Sequence, residues 1–171
     1  DANLKWDKLT SPENIWIRVS YGASGQAAGA DYVYDKLNKL SKNNNNVFVD
    51  YVGSMGLSYA EPLVDFTFGN GIRIFYNNVD SKNAEIIYNS HILENKIYHD
   101  LVFGQIVPNN LNPISDIPQL DKEKPLSLTK RIATENCGNI SPIDINQYIA
   151  NGGYSALNRA LNDLDPEKTL N

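Results

Sequence analysis

The sequence is short of the residues that carry most metal and nucleophile chemistry. Of its 171 residues one is Cys and two are His. The single thiol, Cys137, excludes an internal disulfide. His91 and His99 cannot make up the shortfall for a structural zinc site or a cysteine-ligated iron–sulfur cluster. One Cys fits a reducing, cytoplasmic compartment. Basic residues are scarce too: 15 Lys and Arg stand against 20 Asp and Glu, with a formal charge of −5. That balance argues against a nucleic-acid partner held by phosphate neutralisation. No apolar run approaches the roughly 18 residues of a membrane span. The opening Asp1-Ala2-Asn3-Leu4-Lys5-Trp6-Asp7 has neither a basic n-region nor an apolar h-region, so no signal peptide is expected. It also lacks Met and reads as a processed or engineered end.

What is present is an apolar content of 42% with 20% charged residues, which supports a packed core and excludes a disordered tail. Residues 1–13 are polar and read as a loop. Ile15–Ser20 alternates and is β-branched, a strand pattern. Gly22–Gly29 is a small-residue loop, and Ala30, Val33, Tyr34, Leu37 and Leu40 set a helix over 28–41. Val47–Val52 is a second strand. Pro62–Phe68 and Ile72–Tyr76 flank Gly69-Asn70-Gly71, a hairpin signal. Asp80 or Ser81 caps a helix with Ala84, Ile87, Tyr88, His91 and Ile92 on its apolar face. The order β-α-β-β-β-α, opening on a right-handed parallel crossover, predicts an α/β fold: a thioredoxin-like mixed four-stranded sheet with flanking helices. Residues 1–103 form that domain.

Pro at 108, 113, 118 and 125 marks 104–125 as an extended linker. Residues 126–171 read as an arm and a short helical segment. Leu126–Thr134 is a short strand or arm. Ser141-Pro142-Ile143-Asp144 reads as a helix start with Ser141 as N-cap. Gly152-Gly153 breaks that helix, Leu157, Ala160, Leu161 and Leu164 mark another, and Asp165-Pro166-Glu167 opens a third. An end inside a helix start is expected of a piece of a longer chain.

Isolated motifs point mostly to packing. The spacing G-x-x-G-x-x-x-G at 22–29 is neither a dinucleotide fingerprint nor a P-loop, and the loop has no basic residue. It reads as a tight turn rather than a phosphate cradle. His91 and His99 lack the i,i+4 spacing of helical metal sites. Cys137, beside Glu135, Asn136 and Gly138, has no neighbour that activates a thiol and reads as a small packed hydrophobe.

Three stretches together resemble the N-terminal region of the NADH-binding flavin subunit of the complex I and NADH-linked hydrogenase family. The form resembled is the one with a thioredoxin-like [2Fe–2S] ferredoxin domain ahead of the flavin domain. The stretches are Tyr21–Ala30; Gly53-Ser54-Met55-Gly56-Leu57-Ser58 running on to Pro62-Leu63-Val64; and Asn136–Pro142 with Tyr148–Leu157. The resemblance implies cluster-ligand positions at Tyr21, Gln26, Ser54 and Ser58, none of which is Cys. Neutral hydroxyls and a carboxamide do not replace thiolates on iron, so no cluster is expected. Tyr21 and Met55 are the bulky candidates to refill the space, while Gln26, Ser54 and Ser58 are expected to bond one another or loop amides. A small-molecule or phosphate pocket at the emptied loops is a further reading. The family's Gly-rich flavin loop does not occur before Asn171, so FMN, NADH and [4Fe–4S] sites are implied only for a longer protein. The role implied is structural, at the inner face of a membrane complex or free in the cytoplasm. The expected partners are the chain's own flavin domain or other oxidoreductase subunits. The rival is a stand-alone interaction or assembly module.

Overall fold

The structure is a computed structural model and describes residues 1–165, 167 and 168. It has five strands: β1 (Ile15–Ser20), β2 (Val47–Val52), β3 (Val64–Thr67), β4 (Arg73–Tyr76) and β5 (Val102–Ile106), in the order β2-β1-β3-β4-β5. β1 and β2 are parallel; β1–β3, β3–β4 and β4–β5 are antiparallel. The first four are the thioredoxin-like mixed sheet, and β5 adds an edge strand to it.

Alternation along the central strands sends two sets of side chains to opposite faces. Ile17 and Val19, Val64 and Phe66, and Ile74 and Tyr76 form one face of the core. Against it pack α3 (Ala30–Ser41) through Ala30, Val33 and Leu37, and α4 (Ser81–Tyr88) through Ala84 and Ile87. Asp80 caps α4, its Oδ1 accepting from Asn83 N at 2.7 Å. A short α2 (Ala23–Ala27) precedes α3 within the small-residue loop.

The opposite face carries Trp16, Arg18, Ser20, Asp65 and Arg73, all buried. Only a short turn, Ser58–Ala60, lies between β2 and β3, so no helix from that connection covers this face. It is covered instead by the two ends of the chain. Residues 1–13, expected as a loop, contain α1 (Ala2–Leu9), and Trp6 meets Trp16 edge-on at 5.6 Å. The apolar positions of α1 are too few for a clear amphipathic pattern, and the cover supplied by the sheet stabilises it.

From the other end comes the arm. Leu126–Thr134 is not a strand: it makes a tight turn at Leu126–Leu128 and then further turns. The following helix, α5 (Ile145–Ala150), is capped by Asp144 rather than Ser141, with Asp144 Oδ1 accepting from Asn146 N at 2.8 Å. Ser141 N–H instead donates to Gln147 Oε1 at 2.7 Å, bending the chain back onto α5. α6 (Ser155–Asn162) follows the Gly152-Gly153 break. A Cβ at Gly153 would lie within 2.6 Å of Tyr148 O, so that junction has no room for a side chain. The expected third helix start at Asp165-Pro166-Glu167 includes residue 166, outside the described residues.

Residues 104–125, expected as a linker, begin inside β5 and fold back on it. Gln105 is fully buried; its side chain accepts from Ile114 N and donates to Ile114 O and Ile117 O at 2.7–3.0 Å. With the backbone bonds Gln105 N–H to Pro118 O at 2.7 Å and Leu120 N–H to Gln105 O at 2.9 Å, this residue holds a proline-containing segment that has no periodicity of its own.

His91 sits in the π-turn after α4, buried and stacked on Phe66 at 4.4 Å. Tyr98 N–H donates to Tyr76 Oη, leaving the Tyr76 hydroxyl hydrogen to donate to His91 Nε2 at 2.6 Å. This arrangement is a neutral imidazole. Its Nδ1 has no hydrogen-bond partner among the described residues. Burial lowers the His91 pKa to about 4. In the unfolded chain the ring titrates near the ordinary value of about 6.5. Below that pH the unfolded state binds a proton that the folded state refuses, so stability falls from about pH 6.5 and levels off near pH 4. The total loss expected is on the order of 3 kcal/mol. Urea titrations across this range should show the slope in the native chain and its loss in His91→Phe. An equal slope in both would refute the assignment.

Candidate functional site

The two loops singled out by sequence do meet. A Cβ on Gly22 would lie 2.9 Å from Ser54 Cβ. Behind them is a residue that sequence reasoning missed, Glu61. Its Oε1 accepts from Ser20 Oγ at 2.7 Å and Ser54 Oγ at 2.9 Å, and its Oε2 accepts from Leu63 N at 3.1 Å. Ser54 Oγ also accepts from Gly56 N at 3.2 Å. The carboxylate therefore fastens the first loop, the second loop and the entry to β3. Its position before Pro62, joined by a cis peptide bond, gave no sequence signal for this role.

The four expected ligand positions differ in their surroundings. Ser54 is partly buried and bonded as above. Tyr21 does not fill the space behind the loops. It turns outward, donates to Asp31 Oδ1 at 2.7 Å and packs on Tyr51 at 4.1 Å, which in turn stacks on Tyr34 at 3.8 Å. The bond to Asp31, with burial second, raises the Tyr21 pKa. Aromatic packing on β2 outcompetes a small interior site for so large a ring. Gln26 and Ser58 are exposed. Met55 does fill the interior, buried against Leu57, Leu63 and Phe75. What remains beside Ser20, Val52 and Met55 is a void of about 10 Å³, at most the size of one water. It does not offer room for a phosphate.

A [2Fe–2S] cluster needs four soft, anionic donors. Tyr21, Gln26, Ser54 and Ser58 present neutral oxygens and an amide, and the Ser54 oxygen is already engaged twice. This donor set does not fit the cluster. Among the described residues no group of three or more His, Cys, Asp and Glu is placed to hold a metal ion. His91 is enclosed by the core, and Cys137 lies half-buried against Gly53.

The arm meets the same region from the other face of the sheet. A Cβ at Gly53 would lie 3.4 Å from Cys137 Cα, and one at Gly138 would collide with Met55 Cγ. Beneath the arm, Asp65 holds two arginines. Arg18 donates to Asp65 Oδ1 from Nε at 3.0 Å and Nη2 at 2.7 Å, and from Nη2 to Thr67 Oγ1. Arg73 donates to Oδ1 from Nε at 3.1 Å and to Oδ2 from Nη2 at 2.8 Å. It continues to Gly138 O at 2.6 Å and Asn139 Oδ1 at 2.8 Å. Asp50, on β2, accepts from Trp16 Nε1 and Gln147 Nε2, each at 2.9 Å, so it ties α5 to the sheet. Burial raises the Asp50 pKa against these two bonds. The sequence signal for this is faint: each of β1 to β4 carries one charged residue in an otherwise largely apolar strand.

Removing the Ser54 hydroxyl takes one of three hydrogen bonds from a buried carboxylate. Ser54→Ala is expected to cost about 1 kcal/mol, and Ser58→Ala, at an exposed site, under about 0.5 kcal/mol. Urea unfolding of the two variants checks this, and a larger loss at Ser58 would contradict the geometry.

No family model and no curated protein matches the sequence. Among solved structures, a thioredoxin-like [2Fe–2S] ferredoxin from Aquifex aeolicus is similar at 14% identity with a TM-score of 0.48, covering 58% of this chain and 99% of that chain. A crystal structure of the wild-type form of that ferredoxin also aligns at 14% identity with a TM-score of 0.46, covering 54% of this chain and 98% of that chain. The strand order, the parallel β1–β2 pair and the antiparallel hairpin define the thioredoxin-like fold here.

Proposed function

We propose that this chain is a cluster-less docking region of a flavin-dependent NADH:acceptor oxidoreductase subunit, with no redox centre of its own. The NADH dehydrogenase side of the reading comes from the sequence stretches at 21–30, 53–64 and 136–157. The observation that carries the structural role is the Ser20–Glu61–Ser54 bonding, which uses the loop oxygens to fasten the fold rather than to offer ligands. Docking is supported by the C-terminal helices. Ile145, Tyr148 and Ile149 of α5, Tyr154, and Leu157 and Leu161 of α6 are all exposed. Apolar side chains grouped in this way are the kind of surface a partner covers.

The test is the intact mass and peptide map of the protein from its source cells, with an absorption spectrum of the same sample. Iron is assayed on the recombinant 171-residue chain. The expected result is a chain well beyond 19.1 kDa with flavin absorption, and no iron in the recombinant region. Stoichiometric iron with cluster absorption in that region would overturn the cluster-less reading. A colourless chain ending near Asn171 would replace the oxidoreductase reading with that of a stand-alone interaction module.

A further inference from the structure

The sheet has two edges, and the chain covers one of them. At β5 the returning segment bonds to Gln105 through Pro118 O and Leu120 N–H, and Gln119 bridges Gln105 in parallel. At the other edge β2 pairs with β1 alone. Burial follows this difference: Trp16–Ser20 of β1 are buried, whereas Phe48–Tyr51 of β2 are half-buried.

The ladder decides which backbone groups that edge presents. Ile15 N–H donates to Asn46 O and Tyr21 N–H to Val52 O, each at 2.8 Å. Bonds in a parallel ladder recur at every second residue, so Phe48, Asp50 and Val52 turn their backbone groups toward β1. Val47, Val49 and Tyr51 turn theirs outward. Val47 N–H donates to Asn44 O at 3.2 Å. The Val47 carbonyl and both backbone groups of Val49 and of Tyr51 have no partner among the described residues. A free edge is a template for another strand, and chains commonly blunt it with Lys, Pro or a bulge. β2 is Val-Phe-Val-Asp-Tyr-Val, with no Lys or Pro, and its register on β1 is unbroken.

We propose that β2 pairs antiparallel with β2 of a second copy of this chain, about a two-fold axis at Val49, making one continuous sheet. In that register Val49 faces Val49, and Val47 faces Tyr51. These are the residues whose backbone groups point outward, so each pair exchanges hydrogen bonds. On the α1 side, Asp50, the one charge of β2, faces Phe48 of the second copy. Lys8 lies over Phe48 at 5.8 Å from the ring centroid, and no carboxylate is paired with it among the described residues. Each Asp50 therefore meets a cation of the other copy, and no like charges stand directly opposite. The pairing uses the backbone of β2 and not the apolar side chains of α5 and α6, so its failure would leave the docking role standing.

The experiment is sedimentation equilibrium of the full chain from about 1 to about 500 µM, with a monomer–dimer Kd expected on the order of 10 µM. Val49→Pro removes an outward N–H and no bond to β1, a place where an edge strand tolerates proline. It should raise that Kd by about tenfold or more. The register is read by disulfide trapping in a Cys137→Ala background, which does not depend on the proline variant. Facing Val49 Cα atoms would lie about 5.5 Å apart, within disulfide reach, so Val49→Cys should give a covalent dimer on mild oxidation. Asn45→Cys, at an exposed position just before the strand, would lie more than about 20 Å from its copy and should give none. A chain still monomeric at about 500 µM would overturn the proposal. So would a dimer that a folded Val49→Pro chain forms equally well, or trapping at Asn45 as efficient as at Val49.

Discussion

Asp65→Ala is expected to lower the unfolding free energy by about 3–5 kcal/mol. Asp65 is 3% exposed and is the carboxylate for Arg18 and Arg73 together. Removing it leaves two buried guanidiniums facing each other, with only Asp50, the cross-strand neighbour of Arg18, as a carboxylate beside them. Arg73 also holds the arm through Gly138 O and Asn139 Oδ1, so the loss extends beyond the sheet. Urea unfolding of the variant measures the loss, and trypsin cleavage after Lys130 or Arg131 measures release of the arm. Replacing all three residues by apolar ones of similar size should cost less than the single change, because no stranded charge remains. A loss below about 1 kcal/mol for Asp65→Ala would mean that water, not Asp65, satisfies the arginines.

Gly138→Val is expected to cost about 2–4 kcal/mol. Two causes act together. The backbone at Gly138 has φ +78°, a left-handed conformation that β-branched residues resist. Its new Cβ would also collide with Met55 Cγ. Met55 is the side chain that closes the space behind the loops, so it cannot withdraw without opening a cavity. The expected result is a lower urea midpoint and faster proteolysis of 126–141, with the far-UV spectrum of the sheet retained. Met55→Ala in the same chain should recover part of the steric cost and none of the backbone cost. Full recovery would show that the conformation at Gly138 is unimportant.

The two variants concern one feature, a sheet face covered by the chain's own ends. That feature is the least legible in the sequence. Arg18, Asp65 and Arg73 lie one to a strand, and nothing local in the sequence pairs them. Their partnership depends on registers that join Arg18 to Asp65 across β1–β3 and Thr67 to Arg73 across β3–β4. Glu61 was equally silent, because its three donors come from positions 20, 54 and 63. Ser141 looked like a cap and is not one, since Gln147 competes for its N–H and the true cap falls at Asp144.

What was legible is local. The strands Ile15–Ser20 and Val47–Val52, the helix ending at Ser41 and the Asp80 cap follow from side-chain period and from the chemistry of helix ends, which act within a few residues. The β-α-β start carries the parallel β1–β2 pair and the Asn-Gly turn the antiparallel β3–β4 pair, while the β1–β3 pairing that joins them is a tertiary outcome. That no Cys stands at 21, 26, 54 or 58 is also plain from the chain alone. Long-range partners decided the rest. Ala2–Leu9 is helical because a sheet face needed cover, residues 104–125 are held by the buried Gln105 side chain and its backbone bonds, and Tyr21 turns outward to pack on Tyr51. Each of these outcomes depends on a neighbour that is distant in sequence or chosen by packing, and periodicity carries no information about it.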